Sequence, residues 1–134
     1  MIMKKLVFVL MAIVCLTACG QVNEQGEETV QKEGYVNITA AEAKEIMDSR
    51  EDYIILDTRA QEEYDEGHIP GAIVIPHDEI LEKAEDVLAD KNQLILVYCR
   101  SGRRSKLAAE DLQKLGYTNI KEFGGIIDWP YEVE

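Results

Sequence analysis

Only three of the 134 residues are cysteine, at positions 15, 19 and 99, and their spacing fits neither a disulfide framework nor a paired metal motif. Basic residues are scarce as well: 14 lysines and arginines stand against 26 acids, a formal net charge of −12. Nucleic-acid binders need a basic face to neutralise phosphates, so no nucleic-acid partner is expected. The longest apolar run, Leu6 to Leu16, is eleven residues, short of the roughly 20 that a helix needs to cross a bilayer core. No block repeats and no heptad pattern is sustained, which rules out solenoids and coiled coils. At 46% hydrophobic and 30% charged, the chain is too apolar for disorder and too charged for a polytopic membrane protein. What remains is one acidic domain of about 100 residues behind a distinct N-terminal segment.

That segment reads as an address. Met1 to Lys5 carries Lys4 and Lys5 and no acid, the apolar run follows, and small residues come next. This is the pattern of a secretory signal peptide. Leu16-Thr17-Ala18-Cys19 resembles a bacterial lipobox. The resemblance implies that residues 1–18 are a lipoprotein signal peptide and that Cys19 is the lipidated first mature residue. The chain would then sit on the extracytoplasmic face of a bacterial membrane, since two or more acyl chains anchor stably where one is marginal. Residues 19–34 complete the segment: QVNEQGEETVQKEG, residues 21–34, has two valines as its only large apolar residues and no aromatic residue. It reads as a flexible acidic tether about 20 Å long by random-coil scaling. Without Lys4 and Lys5 the mature chain keeps 12 basic residues against 26 acidic ones.

From residue 35 onward strands and helices alternate. Tyr35–Ile38 reads as a short strand, and Thr39-Ala40-Ala41-Glu42 as a capping box opening a helix to about Ser49. Tyr53–Leu56 is apolar and β-branched, as a strand covered on both faces should be. Gln61–Glu66 reads as a short acidic helix and Ala72–Ile75 as a strand. Asp78–Ala89 is an amphipathic helix with Ile80, Leu81, Ala84, Val87 and Leu88 inward. Leu94–Tyr98 is the most strand-like stretch. Ser105–Leu115 is a long helix with Leu107, Ala108, Leu112 and Leu115 inward and Gly116 just past its end. A last strand falls within Tyr117–Phe123, before a turn at Ile126–Trp129. The alternation predicts a mostly parallel α/β sheet with helices on both faces.

The chemistry concentrates where Leu94–Tyr98 meets the next helix, in Cys99-Arg100-Ser101-Gly102-Arg103-Arg104-Ser105. Ligands of open α/β sheets bind at the carboxyl ends of strands. A cysteine there feels backbone amides, a helix dipole and guanidinium groups, all of which favour thiolate, the nucleophilic form. Residues 100–106 hold four cations and no acid, a local inversion in an acidic chain that suits an oxyanion. With Cys19 lipidated and Cys15 removed, Cys99 is the only free thiol, which excludes an intramolecular disulfide.

Four stretches in order, Leu56-Asp57-Thr58-Arg59, Glu63 to Ala72, Tyr98 to Ser105, and Gly124-Gly125 with Trp129, resemble a single-domain rhodanese. The match spans residues 35–134. It implies a three-layer α/β fold with about five parallel strands flanked by helices. It further implies a sulfurtransferase in which Cys99 forms a persulfide, without metal or organic cofactor. The backbone of Arg100, Ser101, Gly102, Arg103 and Arg104 would cradle sulfur and the donor's oxyanion, and the arginine side chains would set the field. Asp57 and Arg59 would brace the fold beside the loop, with Glu63 and His68 in a structural motif. The implied partners are a small anionic sulfur donor, such as thiosulfate or a persulfide, and a thiophilic acceptor. High net charge favours a monomer.

Phosphatases and arsenate reductases of similar fold place an arginine six residues after the cysteine. Here Ser105 stands there and Arg104 falls one residue short. Tyr98 also replaces the histidine that precedes their cysteine. A non-catalytic module that grips an anion or a partner protein at the membrane surface is the other alternative.

Overall fold

The computed structural model describes residues 34–134. The signal peptide, Cys19 and most of the tether lie outside the described residues. Five strands form one sheet: β1 (Val36–Asn37), β2 (Tyr53–Asp57), β3 (Ile73–Val74), β4 (Leu94–Cys99) and β5 (Ile120–Gly125). Their order is β1-β5-β4-β2-β3, and every pairing is parallel. The helices are α1 (Ala40–Ser49), α2 (Gln61–Glu66), α3 (Ile80–Val87) and α4 (Arg103–Lys114), with 3-10 turns at His77–Glu79 and Ile126–Asp128. No helix among the described residues is long and apolar enough to cross a membrane.

The central strand β4 is buried at all six positions. Alternation survives inside its unbroken apolar run. Ile95 and Val97 pack with α3 and α4, through Ile80, Ala84, Ala108, Ala109 and Leu112. Leu94, Leu96 and Tyr98 pack on the opposite face with Ala43, Phe123 and Trp129. Removing each such side chain from water contributes about 1.5–3 kcal/mol, so the sheet is held from both sides.

The helix entering from Thr39 starts as the sequence predicts. Thr39 Oγ1 accepts from the Glu42 amide at 3.0 Å and Glu42 Oε1 accepts from the Thr39 amide at 3.0 Å. Three inward assignments are corrected: Leu81, Val87 and Leu107 are 54%, 51% and 40% exposed. On α3 the sheet is met only by the narrow stripe Ile80, Ala84 and Leu88. On α4 the small residues Ser105, Ala108 and Ala109 let the helix approach closely, which turns Leu107 outward. Helix α4 also begins at Arg103, two residues before the expected start.

A register irregularity lies near the end of β4. Val97 pairs with Glu122, whereas Cys99 pairs with Gly125. The additional β5 residue there is a bulge, a device that re-aims side chains near sites. Just before it, Glu122 is buried on the α4 side and Phe123 in the opposite cluster.

Candidate active site

Cys99 closes β4, and the chain turns at once into α4. Gly102 makes the turn at φ 104°, a left-handed conformation that costs glycine nothing. Gly102 is the N-cap of α4 and offers no side chain to the exposed amides of the first turn. The sulfur of Cys99 takes that place, accepting from the Gly102 amide at 3.0 Å. Burial of the thiol pushes its pKa up. The Ser105 hydroxyl and the amides of Ser105, Gly102 and Ser101 outweigh burial and hold the thiol below its ordinary value. The capping group of this helix is thus a nucleophile, stabilised as an anion by the helix it caps. The α4 start two residues early follows from this cap.

The loop is pressed into shape from β5. A Cβ on Gly125 would stand 2.0 Å from the Arg100 carbonyl oxygen and 2.6 Å from Ser101 Cα. Backbone cannot yield that much, so only glycine fits. The Arg100 carbonyl also accepts from the Ile127 amide at 3.2 Å.

The arginines divide. Arg104 is held by Glu63 of α2 in a two-pronged pair, with Nη1 to Oε2 at 2.8 Å and Nη2 to Oε1 at 3.0 Å. Arg100 and Arg103 are exposed and are free of ion pairs with any described residue at a 4.0 Å limit. They are the cations available to an incoming anion. Hydrogen bonding from Arg104 brings the Glu63 carboxyl to about 2, below its ordinary 4.5, against the opposing effect of burial. A depressed carboxyl stabilises the fold above its unfolded pKa, and that contribution fades as pH falls from 4.5 toward 2. Glu63→Gln is therefore expected to lower the melting temperature at neutral pH. The gap to the native protein should close across that acid window, as read by melting curves at successive pH values.

Asp57 and Arg59 form a buried pair at the end of β2, with side chains 0% and 7% exposed. Arg59 Nη2 reaches Asp57 Oδ2 at 2.7 Å and the Gly67 carbonyl at 2.7 Å. The Tyr98 hydroxyl donates to Asp57 Oδ2 at 2.6 Å and accepts from the Ile69 amide at 3.1 Å. Burial, reinforced by that bond to Asp57, raises the Tyr98 pKa, so the phenol stays protonated. The side chain of the residue before Cys99 is thereby fixed by two other segments of chain, at Asp57 and at Ile69.

His68 is engaged elsewhere. Its ring stacks on Tyr64 at 3.8 Å between centroids, Nδ1 lies 2.9 Å from the Tyr64 carbonyl, and Nε2 lies 3.5 Å from Glu134. Its backbone exchanges two hydrogen bonds with Glu134. Two residues at the loop were not singled out from the sequence, Ser105 and Glu122, and both are buried. Ser105 Oγ lies 3.1 Å from the Gly102 carbonyl and 2.5 Å from Glu122 Oε2. The available signal was the alternation itself, which puts Glu122 on the same strand face as Ile120.

Among known proteins, the family model described as Rhodanese-like domain matches residues 39–130. Thiosulfate sulfurtransferase PspE of Escherichia coli is 41% identical over 54% of this chain and 70% of its own. Thiosulfate sulfurtransferase GlpE of Coxiella burnetii is 34% identical over 71% of this chain and 87% of its own. A solved rhodanese with anions from E. coli superposes with a TM-score of 0.57 at 36% identity, over 61% of this chain and 96% of that one. With the parallel five-stranded sheet and the cysteine loop in place, the chain belongs to the rhodanese-like domain family.

Proposed function

We propose that this chain is a sulfurtransferase that carries sulfane sulfur on Cys99. The observation that carries the reading is the anion site built around the sulfur. The Gly102 amide donates to Sγ at 3.0 Å, amides of Ser101, Gly102 and Ser105 favour a negative charge there, and Arg100 and Arg103 are exposed in the same loop and at the start of α4. A donor such as thiosulfate is drawn in by the arginines, and the Cys99 thiolate attacks its outer sulfur. A bond forms from Sγ to that sulfur while the donor's S–S bond breaks, and sulfite leaves with the electron pair. The amides that held the thiolate are placed to hold the persulfide anion. An acceptor nucleophile, cyanide or a thiolate, then takes the outer sulfur, and the electrons of the Sγ–S bond return to Cys99. The cycle is a covalent, two-step transfer, and donors fixed before the reaction reorganise little while charge moves.

The same proposal places the domain outside the cytoplasm. Lys4 and Lys5, the apolar run and Leu16-Thr17-Ala18-Cys19 support an exported chain anchored through lipid on Cys19. Residues 1–18 are then the signal peptide and 19–34 the tether of a monomeric domain.

The test uses the full chain, reduced and incubated with thiosulfate, then digested for mass spectrometry. The peptide carrying Cys99 is expected to gain the mass of one sulfur atom, and cyanide is expected to remove it. No gain with thiosulfate, polysulfide or glutathione persulfide, in folded protein, would leave an anion-binding module instead.

A further inference from the structure

A cleft of about 390 Å³ adjoins the cysteine loop, lined by Arg59, Glu63, Ile126, Trp129, Tyr131 and Val133 among others. Its place follows from the sheet. β4 runs between β2 and β5, Arg59 is two residues past the end of β2, and Ile126 is the residue after β5. A cleft walled by both crosses the carboxyl end of β4, which Cys99 closes. Cys99 is in register with Gly125, so the Cα of Ile126 stands within about 9 Å of the Cα of Cys99, one strand spacing and one residue away. Small-molecule sites occupy about 300–1,000 Å³, and this cleft is of that size.

Arg59 brings an uncommitted donor to the cleft. Its Nε and Nη2 are bound to Asp57 and to the Gly67 carbonyl, while Nη1 has no hydrogen-bond partner among the described residues. No fully buried side-chain nitrogen or oxygen among those residues lacks a partner. Nη1 is therefore reached from outside, although its side chain is only 7% exposed, and the cleft is an opening that Arg59 lines. The charges there are already matched or negative. Asp57 pairs with Arg59 and Glu63 with Arg104, and Glu66, also in the lining, forms no ion pair with a described residue. An uncharged carbonyl oxygen suits Nη1 better than a further carboxylate, which would meet these acids. Ile126, Trp129 and Val133 offer apolar surface to the rest of such a molecule.

We propose that this cleft seats the body of the sulfur acceptor, an uncharged amide-bearing alkyl thiol, with its amide oxygen accepting from Arg59 Nη1 and its alkyl chain against Ile126, Trp129 and Val133. The inference rests on the reading of Cys99 as a sulfur carrier and adds the class of compound that unloads it. The acceptor reacts as its thiolate. Its sulfur bonds to the outer sulfur of the Cys99 persulfide, the Sγ–S bond breaks, and that electron pair returns to Sγ. A thiolate and a persulfide anion become another such pair, so no oxidant or reductant is consumed. Cyanide has no body to fill the cleft and discharges Cys99 without it.

The experiment loads the full chain with thiosulfate, checks the added sulfur on the Cys99 peptide by mass spectrometry, and follows its discharge by four acceptors: N-butyrylcysteamine, 2-mercaptoethanol, 3-mercaptopropionate and cyanide. N-butyrylcysteamine should saturate and should act at least about tenfold faster than 2-mercaptoethanol at equal low concentration. N-ethylbutyramide, the same body without sulfur, should raise its half-saturation concentration and leave discharge by cyanide in place. Val133→Glu puts a charge into the apolar lining at a position 51% exposed, where the fold tolerates it. It should cut the rate with N-butyrylcysteamine about tenfold relative to the rate with cyanide. Arg59→Lys keeps a cation for Asp57 and removes Nη1, and should shift the same ratio in the same direction; if it does not fold, Val133→Glu carries the test. Discharge by N-butyrylcysteamine no faster than by 2-mercaptoethanol, or slower than by 3-mercaptopropionate, would overturn the proposal while sulfur loading stands. So would an unchanged ratio in Val133→Glu, since a merely structural residue moves the melting temperature and not the choice between acceptors. Failure to load at all would remove the sulfur-carrier reading and this inference together.

Discussion

Cys99→Ser is expected to abolish sulfur transfer, by at least about a thousandfold in the rate of thiocyanate formation from thiosulfate and cyanide. Among the described residues Cys99 is the only free cysteine, so no neighbouring thiol stands in for it. A serine hydroxyl ionises far above any working pH and does not attack sulfur, yet its oxygen can accept from the Gly102 amide as an N-cap serine does. The variant should therefore melt close to the native protein. Loss of transfer with the fold intact isolates the chemistry at one atom. Turnover within about tenfold of the native rate would remove Cys99 from the reaction.

The largest effect on stability is expected from Asp57→Asn. The substitution preserves shape and removes the carboxylate that, among the described residues, forms the ion pair of Arg59, whose side chain is 7% exposed. Breaking a buried pair from one side costs about 3–5 kcal/mol, against a total of about 5–15 kcal/mol for a domain of this kind. At about 4–8 °C per kcal/mol, the melting temperature should fall by at least about 12 °C. Asp57 also accepts from Tyr98, so the loss reaches the residue next to Cys99. Combining Asp57→Asn with Arg59→Met, which removes the stranded cation as well, should restore a substantial part of the lost stability. A fall of only a degree or two in the single variant would mean that water replaces Asp57 at no cost, contrary to the burial observed.

The fold was legible because its signals are local. The run Leu94–Tyr98, the capping box at Thr39 and the alternation of strand and helix each depend on residues close in sequence. The loop was legible for the same reason, since Cys99 to Arg104 is one contiguous stretch. What escaped depends on distance or on packing. Glu63 and Arg104 are 41 residues apart, and their pairing follows from α2 and α4 meeting across the sheet end, which no spacing states. Glu122 sits in Ile-Lys-Glu-Phe, and that stretch alone gives no reason to bury an acid. Alternation puts Glu122 on the same face as Ile120, in register with Val97, and the approach of Ser105 from α4, 17 residues away, gives the acid a partner there. Leu81, Val87 and Leu107 were placed inward because a helical wheel shows an apolar face but not how narrow a strip of it a sheet will cover.

The sulfur's partners at Ser101, Gly102 and Ser105 include main-chain donors, which sets how this site tolerates change over generations. Side-chain replacement at Ser101 leaves its N–H in place for every residue except proline. Arg100, Ser101 and Arg103 can consequently drift, altering which sulfur compound approaches, while the atom that reacts keeps its surroundings. Selection on donor choice and selection on reactivity act on separate parts of one short loop. Gly102 and Gly125 are the exceptions: their lack of a side chain shapes the backbone itself, and a mutation at either alters both at once.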